Sequence, residues 1–317
     1  LYDFIVTGTL FRFIYSSWKY AGFFLFPYLY VALFIACGAA LGYGLGRVTG
    51  LAGVAAVRVA GAVTLGVMTG LLHLFGWRRP INHVFDDWIF SREFVYGQRP
   101  RMDARIDQFA ERILDRIRHA DADEIVIIGH CLGAALVMDS VSRALKRDPE
   151  LARCGPPLCV LTVGATIPKF SLHSRGERIR QATRAVADER GIHWTEYHAR
   201  DDAISFYRFD PVTLKRFGRD RSDGRPNIRR VQMHTMMDKD TFRRHRFNFM
   251  LLHYKFLMGS TVRADYDYCL IVCGPLPFDE ITAPRGGMDR FGDDGALLAR
   301  GASSGVARPA SVAVDAA

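Results

Sequence analysis

Residues 124–133, Glu-Ile-Val-Ile-Ile-Gly-His-Cys-Leu-Gly, decide the fold of the carboxyl-terminal two thirds of this 317-residue chain. The β-branched run 125–128 predicts a buried strand, and the small and apolar residues after the cysteine predict an amphipathic helix. Between strand and helix lies the pattern Gly129-x-Cys131-x-Gly133. The two glycines predict a sharp turn in which neighbouring backbone passes close to Cys131. Such a turn presents the thiol clear of the sheet, at a helix end that stabilises negative charge.

Residues 129–134, Gly-His-Cys-Leu-Gly-Ala, resemble the Gly-His-Ser-Leu-Gly-Ala nucleophile elbow of lipase-like α/β-hydrolases, with cysteine in place of serine. The resemblance extends over residues 80–275 and is specific only at the elbow. It implies a mostly parallel sheet with helices on both faces, Cys131 as nucleophile, and the backbone N–H of Leu132 as an oxyanion donor. His130 points away from Cys131 in such a turn, so a structural role is expected for it.

The cysteine widens the chemistry that the resemblance implies. Cysteine is the nucleophile in some members of the superfamily, such as dienelactone hydrolases and polyhydroxyalkanoate synthases. Thioester cleavage and acyl transfer are therefore as compatible with the elbow as ester hydrolysis. The alternative is a plain strand-to-helix turn that carries a buried, inert cysteine.

A triad acid is expected in the loop after a later strand, ahead of the histidine in the chain. Residues 158–164 predict the next strand, and residues 193–198 predict a third one that runs into Asp201 and Asp202. Asp202 is the predicted acid, because lipase-like sequences place the acid just before a short apolar segment, here 203–206. Asp201 is the alternative acid. Both aspartates are equally compatible with loop or helix-cap roles.

Three histidines follow the strand predicted at residues 227–233, and one of them is expected to be the base. His253 lies in an aromatic segment that favours a neutral imidazole able to accept a proton. That segment also resembles a His-aromatic-x-aromatic-Leu stretch of lipase-like bacterial membrane proteins. His245 lies in an arginine-rich run that repels a cation, and His234 is the alternative base. A histidine with a purely structural role in the core fits the His253 pattern as well.

The segment before the elbow lacks the strands that an α/β-hydrolase needs. Residues 78–123 predict one clear helix, Arg101–Arg118, and no βαβ unit precedes it. We therefore predict an amino-terminally truncated fragment, with the first strands and the second oxyanion donor upstream of residue 1.

Two charge-free stretches, residues 20–46 and 59–77, predict a transmembrane helical hairpin. Each reaches the ~20 residues that a bilayer crossing requires. Basic residues are more frequent outside the hairpin than in its connection, which carries Arg47 and Arg58, so both chain ends are predicted to face the cytoplasm. The alternative is a buried hairpin of a soluble domain. Small residues repeat four apart, as close helix packing requires: Gly38, Gly42, Gly46, Gly66 and Gly70.

Composition argues against several other classes of protein. None of the six cysteines forms a Cys-x-x-Cys pair and no His/Cys cluster has zinc spacing, so neither a metal, a cofactor nor a disulfide framework is expected. The net charge is +9, with arginine crowded between residues 172 and 246. No recognition helix or stacking-aromatic array accompanies it, which argues against nucleic acid. Attraction to an anionic inner leaflet is the simpler account, and a solvated basic surface is equally consistent.

Two further segments lie near the end of the chain. Residues 266–273 predict a last strand. From residue 278 the sequence turns to Gly, Ala, Ser, Asp and Arg, which predicts disorder over 278–317.

The leading hypothesis is an inner-membrane lipase- or esterase-like hydrolase that cleaves acyl esters or thioesters, lipids included, through Cys131, His253 and Asp202. The rival hypotheses are a cysteine-dependent acyltransferase and a catalytically inactive membrane scaffold of the same fold. Substrate identity and oligomeric state stay open. The predicted organisation is a cytoplasmic lead-in at 1–19, the hairpin at 20–77, the α/β domain at 78–277 and the tail at 278–317.

Overall fold

The computed structural model describes residues 1–50, 52–78, 81–119, 121–218, 225–260, 262–283, 287–292 and 295–299. Its centre is a four-stranded sheet whose spatial order equals the chain order. The strands are β1 (Ile125–His130), β2 (Leu158–Val163), β3 (Ile192–Ala199) and β4 (Asn227–Val231). All neighbouring pairs are parallel. The predicted parallel α/β sheet is thereby confirmed.

Helices occupy most of the rest of the described chain. Before the sheet come α1 (Tyr2–Val6), α2 (Thr9–Ser16), α3 (Trp18–Thr49), α4 (Gly53–Arg78), α5 (Ile81–Val95) and α6 (Pro100–His119). Between strands lie α7 (Gly133–Arg147), α8 (Ile167–Ser171) and α9 (Glu177–Asp188). After β4 follow α10 (Lys239–His245), α11 (Phe249–Tyr254), α12 (Tyr268–Cys273) and α13 (Phe278–Ile281), with 3₁₀ turns at Met233–Thr235, Lys255–Leu257 and Met288–Arg290.

The core consists of one apolar layer on each face of the sheet. Strand β2 is buried along its whole length, and its side chains alternate between the two layers. Leu158 and Val160 join the layer that includes α6, α7 and α9. Leu161 and Val163 join the layer that includes α11, α12 and α13. A parallel strand covered on both faces explains why its sequence is continuously apolar.

Strand β1 lies at one edge of this sheet. The resemblance implies strands on both of its sides. Every described element ahead of β1 is helical. The further strands that the resemblance implies stay a prediction.

Helices α3 and α4 pack closely against each other as an antiparallel hairpin. A side chain at Gly38 would put its Cβ 2.7 Å from the Cα of Thr64, and one at Gly42 would put it 2.6 Å from the Cα of Ala60. These two glycines therefore permit the close approach that small residues give to helix pairs. The other three predicted packing glycines have no atom within 4 Å of such a Cβ: Gly46, Gly66 and Gly70.

The apolar part of α3 divides into two lengths with different surroundings. Helices Trp18–Thr49 and Gly53–Leu74 are long and apolar enough to cross a membrane. The first turns of α3, however, belong to the globular domain: Tyr20, Phe23 and Phe24 are buried in one cluster with Trp88. From Leu29, which is 66% exposed, the helix leaves that cluster. The remaining length to residue 49 still provides the ~20 residues of a bilayer crossing. The first turns of the predicted hairpin thus pack with the globular domain, and its boundary at residue 20 stays a prediction.

Two predictions about the ends of the domain are wrong, namely the last strand and the start of the disordered tail. Residues 266–273 form helix α12 rather than a strand, because Asp267 caps it by accepting from the N–H of Leu270. Phe278 and Phe291 are buried in the core, so order extends past the predicted start of the tail, and residues 300–317 lie outside the described part. The predicted lead-in at 1–19 forms α1 and α2, which pack into the α3 cluster through Phe4 and Phe13. Aromatic side chains separated in sequence make these contacts, and local composition does not reveal them.

Candidate active site

The turn between β1 and α7 holds Cys131 in a strained backbone conformation. Its φ angle is +54°, in the left-handed region that L-residues rarely adopt. The carboxyl end of β2 holds it there. The N–H of Cys131 donates to Val163 O at 3.3 Å, and its carbonyl accepts from Thr166 N at 3.1 Å. Strain that is held by surrounding structure in this way is a common property of functional sites.

The two glycines that flank Cys131 are not equivalent. A Cβ on Gly129 would lie 2.6 Å from the Cα of Ala134 and 3.0 Å from its nitrogen. Gly129 therefore lets the first turn of α7 pass across the end of β1. Gly133 has no atom within 4 Å of such a Cβ, so it lacks the steric role predicted for it. It is the first residue of α7, where small size is not required.

Asp202 and His253 form a buried hydrogen-bonded pair. Asp202 lies just after β3 and His253 lies on α11, 51 residues later, and His253 Nδ1 is 2.9 Å from Asp202 Oδ2. The second oxygen of Asp202 accepts from the N–H of Ile204 at 2.9 Å. The structure thus brings together the predicted acid and the predicted base. The Nδ1–H of His253 donates to the Asp202 carboxylate, so Nε2 of the same ring is not used in this pair.

The electrostatics of the pair favour an imidazolium. Burial of His253 opposes its charge, but the charge and hydrogen bond of Asp202, with smaller contributions from Cys131, outweigh burial and raise the His253 pKa to about 10. Burial also opposes the charge of Asp202, while the charge and hydrogen bond of His253 and the hydrogen bond from Ile204 hold its pKa below the usual value. The raised pKa of His253 therefore favours the charged imidazole over the neutral form that the sequence predicts. The aromatic sequence around His253 reveals its burial but not the carboxylate.

Cys131 and His253 line the same cavity. The cavity measures about 400 Å³, and Leu132, Val84 and Met250 are also part of its lining. Nε2 of His253 is buried and has no hydrogen-bond partner of normal geometry among the described atoms. Cys131 is nevertheless near enough to contribute to the raised pKa of that imidazole. Thiol, imidazole and carboxylate thus lie in the order that a nucleophile, base and acid require.

His130 supports the backbone that carries His253. Its Nε2 lies 3.2 Å from the His253 carbonyl oxygen and donates to it. The two rings are 4.5 Å apart at their centroids. Burial, followed by the charge of His253, lowers the His130 pKa to about 4. His130 is therefore neutral at ordinary pH and fixes the position of α11 rather than exchanging protons.

Gly164, at the end of β2, makes room for the base, and sequence reasoning missed it. Its φ angle is +53°. A Cβ there would lie 2.9 Å from a ring carbon of Phe256 and 3.1 Å from Cε1 of His253. The available signal was a glycine directly after a buried strand, a position where backbone passes close to another group.

Helix α5 forms part of the cavity wall, and sequence reasoning missed this as well. Asp87 lines the cavity, and its Oδ2 accepts from the buried Lys169 Nζ at 2.6 Å. The ion pair holds α5 against α8, which follows β2. Tyr20 of α3 has a buried hydroxyl without a hydrogen-bond partner among the described atoms. That hydroxyl is close enough to interact electrostatically with Cys131 and Asp87.

The alternative site residues lie apart from this constellation. His234 is exposed in the 3₁₀ turn after β4, and its ring contacts Phe242 at 5.9 Å. Asp201 is half-buried, and no described hydrogen bond joins it to His253. Within the described ranges, no group of three or more His, Cys, Asp or Glu side chains could hold a metal ion.

Comparison with protein-family models, with curated proteins and with solved structures finds no match to this chain. Function is therefore inferred from the chemistry of the site itself.

Proposed function

We propose that this chain is a membrane-anchored α/β-hydrolase-like enzyme that cleaves acyl esters or thioesters through Cys131, His253 and Asp202. One observation carries the proposal: a strained cysteine shares an apolar cavity with a buried His–Asp pair whose histidine Nε2 has no hydrogen-bond partner among the described atoms. A structural cysteine would need neither the strain nor the pair.

The reactive form of the site would pair a Cys131 thiolate with a His253 imidazolium. The Asp202 carboxylate favours protonated His253, as its raised pKa of about 10 indicates. A thiolate beside a histidinium at a helix amino terminus is the reactive form of a cysteine nucleophile. The position of Cys131, one residue before the helix-capping Leu132, supports this state.

In the first half-reaction the Cys131 sulfur bonds to the acyl carbonyl carbon, and the carbonyl electrons move onto oxygen. When this tetrahedral species collapses, the bond to the leaving alkoxide or thiolate breaks, and the leaving group takes the Nε2 proton of His253. In the second half-reaction neutral His253 takes a proton from water while the water oxygen attacks the thioester carbon. Collapse breaks the carbon–sulfur bond, which restores the thiolate and imidazolium and releases the carboxylic acid.

Two donors are available for the developing oxyanion. Leu132 is the N-cap residue of α7 and lines the cavity, and its N–H donates to no backbone carbonyl among the described residues. The Tyr20 hydroxyl is a second candidate, because it is buried, lacks a hydrogen-bond partner among the described atoms and is close to Cys131. An oxyanion donor is worth roughly 100-fold or more in turnover. We expect a loss of that order in Tyr20→Phe, with substrate KM little changed.

The decisive experiment compares Cys131→Ala with Cys154→Ala in the purified full chain. Cys154 is exposed and lies outside the cavity, so its variant controls for thiol loss. Turnover of an acyl ester or acyl thioester panel should disappear only in Cys131→Ala, and an acyl-enzyme mass should form only on Cys131. Turnover that survives in Cys131→Ala would overturn the proposal. Products separate hydrolysis from acyl transfer, and wild type without turnover or acylation would indicate the inactive scaffold.

A further inference from the structure

The segment between β4 and the base, residues 243–247, is an exposed tip of basic and aromatic residues. Helix α10 buries none of its residues. Phe247, directly after it, is 82% exposed, and the guanidinium of Arg246 lies 4.7 Å from its ring centroid. Arg243 and Arg244 are also exposed, and none of these three arginines forms an ion pair with a described acidic residue. The acidic residues of α10 lie at its opposite, amino-terminal end. The tip thus presents uncompensated positive charge around an aromatic ring.

The tip lies beside the point where the apolar hairpin leaves the globular domain. Phe249, two residues after Phe247, packs on α3, with its ring centroid 5.6 Å from that of Phe23 and 5.3 Å from that of Phe26. Leu29, one turn further along α3, is already largely exposed. One helical turn advances only ~5 Å. If the exposed length of α3 crosses a bilayer, the tip therefore reaches the level of the lipid headgroups.

Two walls of the cavity are formed by residues that directly follow the tip or the hairpin in the chain. Met250 and Tyr254 line it from α11, directly after the tip. His83 and Val84 line it from α5, which begins three residues after α4 ends. Both walls are thus continuous in sequence with segments that would contact the membrane surface.

We propose that residues 243–247 dock on the anionic lipid surface of the bilayer that α3 and α4 cross, and so hold the cavity open to acyl chains of membrane lipids. Arginines at this level attract anionic headgroups, and an aromatic ring is suited to the interface between headgroups and chains. The docking rests on the charge and exposure of the tip and on its position beside the apolar hairpin. The lipid substrate class rests in addition on the function proposed above.

The docking is tested by photo-crosslinking in the full chain. A benzophenone amino acid replaces Phe247 or, as control, Phe109, in nanodiscs of phosphatidylcholine with or without phosphatidylglycerol. Phe109 is 51% exposed and has an arginine 5.4 Å from its ring centroid, but it lies on α6. Lipid adducts should be at least about fivefold more abundant at 247, and phosphatidylglycerol should raise them further. Replacing Arg243, Arg244 and Arg246 by alanine should remove that increase.

Equal adduct yields at the two positions, or cross-links from 247 to protein, would overturn the docking. This result does not depend on catalysis, so it leaves the proposed enzyme standing if turnover still requires Cys131. The substrate class is tested with Phe247→Asp. Turnover of a long-chain ester embedded in the nanodisc should fall several-fold, while turnover of a short soluble ester stays unchanged. Equal effects on both esters would overturn the lipid assignment.

Discussion

The turn around Cys131 makes a sharp prediction, because two glycines that look equivalent in sequence have different surroundings. In Gly129→Ala the new Cβ would lie 2.6 Å from Ala134 Cα, well inside an ordinary contact distance of ~3.5–4 Å between carbons. To relieve this clash, β1 and α7 would have to move apart by about 1 Å, because the obstructing atoms belong to the backbone. Overpacking of this kind costs about 1–3 kcal/mol, and backbone obstruction places it toward the upper end. In Gly133→Ala the new methyl meets open space.

For a domain of this size each kcal/mol lowers Tm by roughly 2–4 °C. We therefore expect Gly129→Ala to lower Tm by about 5–10 °C. Gly133→Ala should leave Tm unchanged or raise it slightly, because alanine is favoured over glycine in a helix by up to ~1 kcal/mol. The measurement is thermal unfolding of the full chain in one detergent at one scan rate, which makes irreversible transitions comparable.

Chemical labelling adds a second readout at the site. Peptide-resolved alkylation should report an altered rate at Cys131 in Gly129→Ala and a wild-type rate in Gly133→Ala. Equal Tm shifts in the two variants, or a larger shift in Gly133→Ala, would refute the steric reasoning about this turn.

Three further outcomes follow from the site. Because the pKa of His253 is raised to about 10 in the folded chain, its charged form stabilises the fold by up to about 5 kcal/mol. This stabilisation is complete below pH ~6.5 and is lost as the pH rises through about 10. Wild-type Tm should therefore fall between pH 7 and 10, and Asp202→Asn should flatten that fall; parallel curves would contradict it. In Gly164→Ala the added methyl group should displace the His253 imidazole. Steady-state kinetics should then show turnover lowered at least about tenfold. Asp87→Asn leaves the buried Lys169 unpaired and should destabilise the fold by about 3–5 kcal/mol in chemical denaturation, whereas adding Lys169→Met should recover most of it.

Local pattern was sufficient to predict the central elements. The strand at 125–130 and the helix after it follow from a β-branched run, a glycine and an amphipathic stripe. The position of Cys131 in the turn between them could be predicted from the order of those two elements alone. The pairing of Asp202 with His253 was also predicted, because chain order restricts which loops can meet at the ends of parallel strands.

Other features could not be predicted, since they depend on contacts between distant segments. The sequence of the first turns of α3 is typical of a membrane span, but in the folded chain Trp88 and Phe206 cover these turns. Residues 268–273 have the apolar composition of a strand, but they form α12, which Asp267 caps at its amino terminus. The aromatic segment around His253 indicates burial, whereas the sign of its pKa shift depends on a carboxylate 51 residues away.

By itself, the sequence determined that a cysteine would stand at a tight turn between a parallel strand and a helix, because backbone sterics and hydrophobic periodicity act over a few residues. Only the tertiary structure decided which glycine the turn needs, which charge the histidine carries, and which helices enclose the cavity. Those properties arise from close packing and electrostatics between segments that meet only in the folded chain.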